Sequence, residues 1–442
     1  MTHRAPGEPV TSLRQALPVW LKVAALSFGG PAGQIAVMHR LLVDERRWIS
    51  ERRFLHALNF CMLLPGPEAQ QLATYIGWLM HRWRGGLIAG GLFILPGFAS
   101  ILALSMLYAG FGHVPLVAAV FYGIKPAVLA IVVQALVRIG RRALGGPYHV
   151  GIAGLAFVAI FAYDAPFPAI IGAAALAGWL GGRTGVGGAL VSPRPGDRVE
   201  PEPVPPPTLR RTAATALLWL SIWWLPVGAL ALIPGRSVFV TEALFFSKAA
   251  VLTFGGAYAV LAYIAQRAVE DFGWLSAGEM LDGLGLAETT PGPLIMVVQF
   301  VGFMGAYRGP GSLDPMIAGV IGSVVTTWVT FTPSFLWIFA GAPYIEQLRG
   351  RQGLTAALTG ITSAVVGVIL NLAVWFAIRT LFAATTVIAG AGLEVEAPAW
   401  SSVDPVAASI AVGAAVLLFR FRRGILATLA AAAIAGVAAR LL

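Results

Sequence analysis

Twice in this chain an apolar run is cut near its middle by the same words, KVAALSFGG from Lys22 and KAAVLTFGG from Lys248. A second pair of cuts follows, at Pro65-Gly66-Pro67 and at Pro291-Gly292-Pro293. Glycine permits a turn there, and proline lacks an N–H and starts the next helix readily. Helix is therefore expected to stop inside lipid, where each exposed amide or carbonyl costs several kcal/mol. Such a cut survives only when it is buried in protein or faces a wet cavity. No other feature restricts the fold as much.

That the solvent is lipid follows from composition. Of 442 residues, 58% are hydrophobic and 11% charged, against about 25% charged in soluble domains. The mean hydropathy is +0.80. Runs such as Gly86 to Tyr108 and Leu354 to Ile378 reach the ~20 residues that cross a bilayer core as helix. The apolar residues run continuously and do not alternate, which argues against a barrel. The expected class is an all-α polytopic membrane protein. The net charge of +10 sits in short loops between apolar runs, so it reads as a topology signal and not as a nucleic-acid surface. The single cysteine, Cys61, excludes an internal disulfide. The N-terminus has no short apolar region with a cleavage site, so no removed signal peptide is expected.

The two halves repeat. From Lys22 to Pro67 the chain aligns without a gap on Lys248 to Pro293, with DERRWIS on EDFGWLS and LLPGPEAQ on TTPGPLIM. Beyond a longer loop around RGPGSLDP, Pro96 meets Pro333, Gly123 meets Gly360 and Arg142 meets Arg379. Matched loops differ in charge. Arg40 to Arg53 carries five arginines, whereas Gln266 to Glu279 carries Arg267 against Glu270, Asp271 and Glu279. Cytoplasmic loops collect Lys and Arg, so the halves are expected to be inverted-topology repeats, as in many secondary transporters.

The expected layout is a first repeat over 1–182 with a cytoplasmic N-terminus, a Pro-rich cytoplasmic linker over 183–211, an inverting helix over 212–233 and a second repeat over 234–442. From Leu13 to Ser27 is about 15 residues, roughly 22 Å of helix at ~1.5 Å per residue, short of a ~30 Å core. Each repeat should thus open with two broken, re-entrant hairpins, over 13–40 and 51–80 and over 241–270 and 276–306; the alternative is a kinked helix that crosses fully. Simple spans follow at about 86–110, 114–138, 149–163 and 167–181, and at about 315–340, 354–381, 403–419 and 424–441. The stretch after Leu381 reads as an external loop. Arg379 and Arg440 fall at external ends and count against the scheme.

Helix N-termini carry partial positive charge and unsatisfied N–H groups, which suits an anion. Four such ends, converging from inverted halves, would form one oxyanion site. The competing reading is that Gly and Pro merely permit kinks and close packing. Lys22 and Lys248 precede the cuts and would neutralise a dianion, unless their stems snorkel to the headgroups. Ser27, Thr253, Asn59, Gln70, Gln71, Tyr258 and Gln299 offer neutral hydrogen bonds nearby. Glu68 and Glu288 are candidates for proton coupling, although Glu68 also suits a helix first turn. Lys125 beside Pro126 is a weaker candidate. A P-loop is absent, the six histidines lack metal-ligand spacing, and no cofactor is expected.

SFGGPAGQIAVMHRLLVDERRWISERRF, LLPGPEAQQLATYIGW, TFGGAYAVLAYI and TPGPLIMVVQFVGF together resemble the chromate ion transporter family in its long, two-domain form. The resemblance covers about residues 13–145 and 241–380. It implies proton-motive-force-driven export of chromate across the inner membrane of a bacterium. Carried over by motif, the positions are Phe28, Gly29, Gly30 and Pro31, then Pro65, Gly66, Pro67 and Glu68. In the second half they are Phe254, Gly255, Gly256, Pro291, Gly292 and Pro293, with Ala257 replacing the first proline. Expected partners are chromate, protons and the bilayer, with no nucleic acid; a homodimer is left open. The rivals are transport of sulfate or another oxyanion, an enzyme acting on a phosphorylated lipid, and a channel.

Overall fold

The computed structural model describes residues 11–28, 30–112, 114–185, 208–233, 235, 237–254, 257–344, 352–390 and 393–441. Gly29, Gly255, Gly256 and most of the Pro-rich linker lie outside these. In chain order the helices are α1 (Leu13–Leu26), α2 (Gly30–His39), α3 (Glu51–Cys61), α4 (Glu68–Phe111), α5 (Pro115–Ala143), α6 (Pro147–Tyr163), α7 (Phe167–Thr184) and α8 (Leu209–Ala231). Then come α9 (Ser237–Leu252), α10 (Ala257–Gln266), α11 (Ala277–Thr289), α12 (Val297–Arg308), α13 (Pro315–Gly341), α14 (Gln352–Leu381), α15 (Pro405–Phe419) and α16 (Ile425–Leu441).

The protein is an all-α polytopic membrane protein. Helices α4, α5, α8, α13 and α14 are long and apolar enough to cross a bilayer. Apart from α4, which follows the Pro65-Gly66-Pro67 cut, the helices flanking the four cuts are shorter; the longest of them, α9, has 16 residues, about 24 Å at ~1.5 Å per residue. Helix α4 bends where the basic HRWRGG lies: His81 (φ −139°, ψ 28°) and Arg82 (φ 52°, ψ −145°) leave helical geometry. One addition was not expected. After α14 the chain forms an antiparallel hairpin, β1 (Thr385–Gly390) and β2 (Leu393–Pro398), where the sequence reading has a loop. Its Glu396 accepts two hydrogen bonds from Arg379, at 2.7 and 2.9 Å. Arg440 stacks on Tyr122, whose hydroxyl donates to Asp404 at 2.7 Å. Both arginines that sat poorly with the charge pattern are thus engaged locally.

The chain divides into two compact units that cut across the sequence halves. The first contains 1–102, 193–257 and 290–350. Its core gathers Trp20, Val23, Met38, Leu42, Phe54, Phe60, Leu72, Ile76 and Phe93 from α1 to α4, with Ile338 from α13. Trp219 of α8 stacks on Phe335 and Phe339 of α13. The charged turn after α2 is tied by His39, whose ring contacts Asp44 at 3.2 Å and also Glu51.

The second unit contains 103–192, 258–289 and 351–442. Its helices cross through small residues, which let backbones approach closely in lipid. A Cβ on Gly123 of α5 would lie 2.0 Å from the Ala432 carbonyl of α16. A Cβ on the matched Gly360 of α14 would lie 2.2 Å from the Ala174 carbonyl of α7. Equivalent glycines therefore make equivalent crossings. The charged turns also match. Arg47 (φ 54°) corresponds to Gly273 (φ 60°), and the Trp48 and Trp274 amides bond to Leu42 and Ala268 carbonyls.

Two stability predictions follow from these contacts. Gly123→Ala forces α5 off α16 and should cost about 1–3 kcal/mol, lowering the thermal midpoint in detergent. Gly151→Ala, in α6 with nothing within 4 Å, should leave that midpoint unchanged or higher. The second prediction concerns pH. Burial alone would lower the His39 pKa, but the carboxylates of Glu51 and Asp44 outweigh this and raise it. A raised histidine pKa means stability that is complete below its unfolded value of about 6.5 and lost as pH climbs through the folded value. Thermal midpoints of the wild type should fall over that window, and His39→Gln should flatten the fall.

Candidate oxyanion site

All four cuts lie in the first unit, and they close on one another in crossed pairs. Helix α1 ends at Ser27 (ψ 72°), and α2 restarts at Gly30 with φ 71°. Between α3 and α4, Gly66 takes φ 125°; after α11, Gly292 takes φ 102°. The Gly66 amide donates to the Thr253 carbonyl at 2.8 Å, and the Gly292 amide donates to the Ser27 carbonyl, also at 2.8 Å. Gly66 matches Gly292 in the repeat, and Ser27 matches Thr253. The same bond is therefore made twice, each time from the PGP cut of one half to the FGG cut of the other.

These bonds change the expected roles of several residues. The N–H groups of Gly66 and Gly292 are not offered to an anion, because each already meets a carbonyl. Ser27 and Thr253 are buried. Their hydroxyls bond back to Val23 and Ala249 carbonyls, at 2.6 and 2.8 Å. Donors for an anion must come from the helix turns after the cuts. In α4 the Gln71 amide bonds back to Pro67 O at 3.0 Å. Helix geometry gives the Ala69 and Gln70 amides ahead of it no acceptor within the helix. Pro65, Phe28, Pro31, Phe254 and Pro291 are partly buried, and Gly30, Pro67 and Pro293 fully so.

Glutamines brace the cuts. Gln34 of α2, buried, donates to Gly292 O at 2.6 Å. Gln71 donates to Pro65 O at 2.7 Å. Gln299 donates instead to Phe98 O inside α4, at 3.0 Å. Gln70 bonds to Thr74, not to a cut. The two lysines sit differently from the cuts they precede. Lys22 and Lys248 are both exposed, and the Lys22 ammonium lies 3.9 Å from Glu45. Glu68 is half-buried in the first turn of α4.

The second unit holds the other acid. Glu288 is buried and accepts a hydrogen bond from Tyr258 at 2.6 Å. Sequence reasoning missed Gln34, Asp282 and Glu242. Glu242 of α9 is fully buried beside Gly322 of α13. A charged residue in an apolar run was the available signal for both acids. Gln34, five residues past an apolar cut, was visible in the same way.

Removing a brace tests this geometry. Gln34→Leu leaves the buried Gly292 carbonyl short of a donor and should cost about 1–3 kcal/mol. Gly66→Ala should cost more, because φ 125° suits glycine and its Cβ would meet Gln71 Nε2 at 2.6 Å. Thermal melts of the purified variants would show both.

The profile of the family described as Chromate transporter matches residues 14–179 and 241–437. The chromate transport protein of Pseudomonas aeruginosa is 33% identical over 365 residues, covering 82% of this chain and 80% of its own. That of Cupriavidus metallidurans is 26% identical over 379 residues, 84% of each chain. The "Probable chromate transport protein" of Synechococcus elongatus is 29% identical over 363 residues, 82% of this chain and 84% of its own. No solved structure matches. With both halves matched in order and most of its length covered, this multi-pass membrane protein belongs to the chromate transporter family.

Proposed function

We propose that this chain is a secondary transporter that exports chromate from the bacterial cytoplasm across the inner membrane. Transport is driven by the proton motive force and proceeds by alternating access. Chromate is a tetrahedral dianion. Helix starts at the cuts present amides and partial positive charge to it, and the matched Lys22 and Lys248 add full charge on approach. Glu68 and Glu288 are the acids for proton exchange. The observation that carries the reading is the crossed pair of bonds, Gly66 to Thr253 and Gly292 to Ser27. Two equivalent hairpin tips held against each other suit a pseudo-symmetric centre in which inverted halves exchange roles. Family membership supports the choice of ion.

Sulfate has the same shape and charge and is the second reading. Labelled chromate uptake into everted vesicles should be collapsed by a protonophore and should resist a ten-fold excess of sulfate. Equal competition by sulfate would remove the assignment to chromate. Uptake that ignores the proton gradient would remove the coupling. The inverted arrangement has its own test. Ser50 and Ser276 occupy matched, exposed positions, and Cys61 is buried. In a background lacking Cys61, Ser50→Cys should react with an impermeant thiol reagent from the cytoplasmic side and Ser276→Cys from the opposite side.

A further inference from the structure

Helix α11 of the second unit carries a charged cluster that the proposed function does not use. Asp282 is 2% exposed. Its Oδ2 accepts a hydrogen bond from the Tyr108 hydroxyl at 2.7 Å and lies 3.4 Å from the Lys125 ammonium of α5. Its Oδ1 is buried with no hydrogen-bond partner among the described residues. A structural ion pair in lipid normally satisfies every lone pair, because an incomplete one does not repay desolvation. This one is incomplete on the acid and loose on the cation, since charge-assisted N–H···O bonds are about 2.7–2.9 Å.

The two partners also differ in what they do when parted. The Lys125 side chain is 31% exposed against 3% for Asp282. A long lysine stem lets the ammonium move toward water while its methylenes stay in the apolar layer. Asp282 has no such exit, so on losing Lys125 it must take a proton instead. The other charged and titratable groups around it are few. Glu279 lies one turn back on α11, and Arg138 lies toward Glu288. Arg379 and Arg440 are the only charged residues of α14 and α16, and Glu396 and Tyr122 engage them. Lys125 is therefore the cation that competes with a proton for this acid. The matched positions in the other half hold His56 and Thr362, so the pair occurs once.

We propose that Asp282 is a proton-exchange station of this transporter, alternating between Lys125 and a proton taken up on its carboxylate. On protonation the O–H bond forms at Asp282, Lys125 keeps its charge, and the pair gains one net positive charge. On deprotonation the proton leaves to water and Lys125 returns. This inference rests on the proton-coupled reading above.

The test uses the full-length protein in proteoliposomes, with chromate as the probe, and separates uptake driven by a pH gradient from gradient-free chromate exchange. The wild type should show both. Asp282→Asn should lose driven accumulation at least ten-fold and keep exchange within about three-fold. Wild-type accumulation that ignores the gradient would overturn the proton-coupled reading and the station with it. An intact wild type together with a fully driven Asp282→Asn overturns the station alone, as does a variant that loses exchange equally. Because that last loss is also what misfolding gives, a second variant is read by its pH profile. Lys125→Met removes the cation that competes with the proton, so deprotonation needs higher pH. The alkaline limb of driven uptake should move up by about one pH unit or more, and an unmoved limb would again overturn the station.

Discussion

Backbone that leaves a helix away from water must find hydrogen-bond partners in the protein, and at these cuts two amides find them in the opposite cut. Two amide-to-carbonyl bonds, Gly66 to Thr253 and Gly292 to Ser27, satisfy groups that water would serve in a soluble protein. The surrounding features serve these bonds. Glycines at φ 125° and 102° turn the amides toward the opposite cut. Gln34 and Gln71 meet two of the carbonyls, and Ser27 and Thr253 fold their hydroxyls back onto their own helices. The result is a braced pair of tips and not a set of loose amides.

The second unit adds close helix contact to its hydrogen bonds. In lipid no hydrophobic force drives helices together, so close approach through small residues takes over. Gly123 against Ala432 and Gly360 against Ala174 place carbonyls where a methyl group would stand. Against that tight packing, the loose Lys125–Asp282 pair stands out. Its acid is buried while its cation is partly exposed.

Much of the architecture was legible in sequence because it depends on local chemistry. Hydropathy located α5, α8, α13 and α14, and Gly-Pro pairs located the cuts, since both signals act over a turn or two of chain. The hairpin at Thr385 to Pro398 was missed because its two glutamates and lack of Lys or Arg made it read as an external loop. Arg379 and Arg440 looked misplaced because their partners, Glu396 and Tyr122, are recruited by folding. The sequence left Lys22 and Lys248 open between anion charge and snorkelling; the structure adds that both side chains are exposed.

By itself, then, the sequence determined that the chain lives in lipid, that it is duplicated, and that its helices stop at four places. Those are properties of composition and of glycine and proline, and they hold whatever the rest of the chain does. Only the tertiary structure decided which cut closes on which, and that Gly66 and Gly292 give their amides to carbonyls. It also decided that Asp282 stands between Lys125 and Tyr108. Those facts join residues far apart in the chain, and a hydrogen bond depends on distance in space, which no local signal encodes.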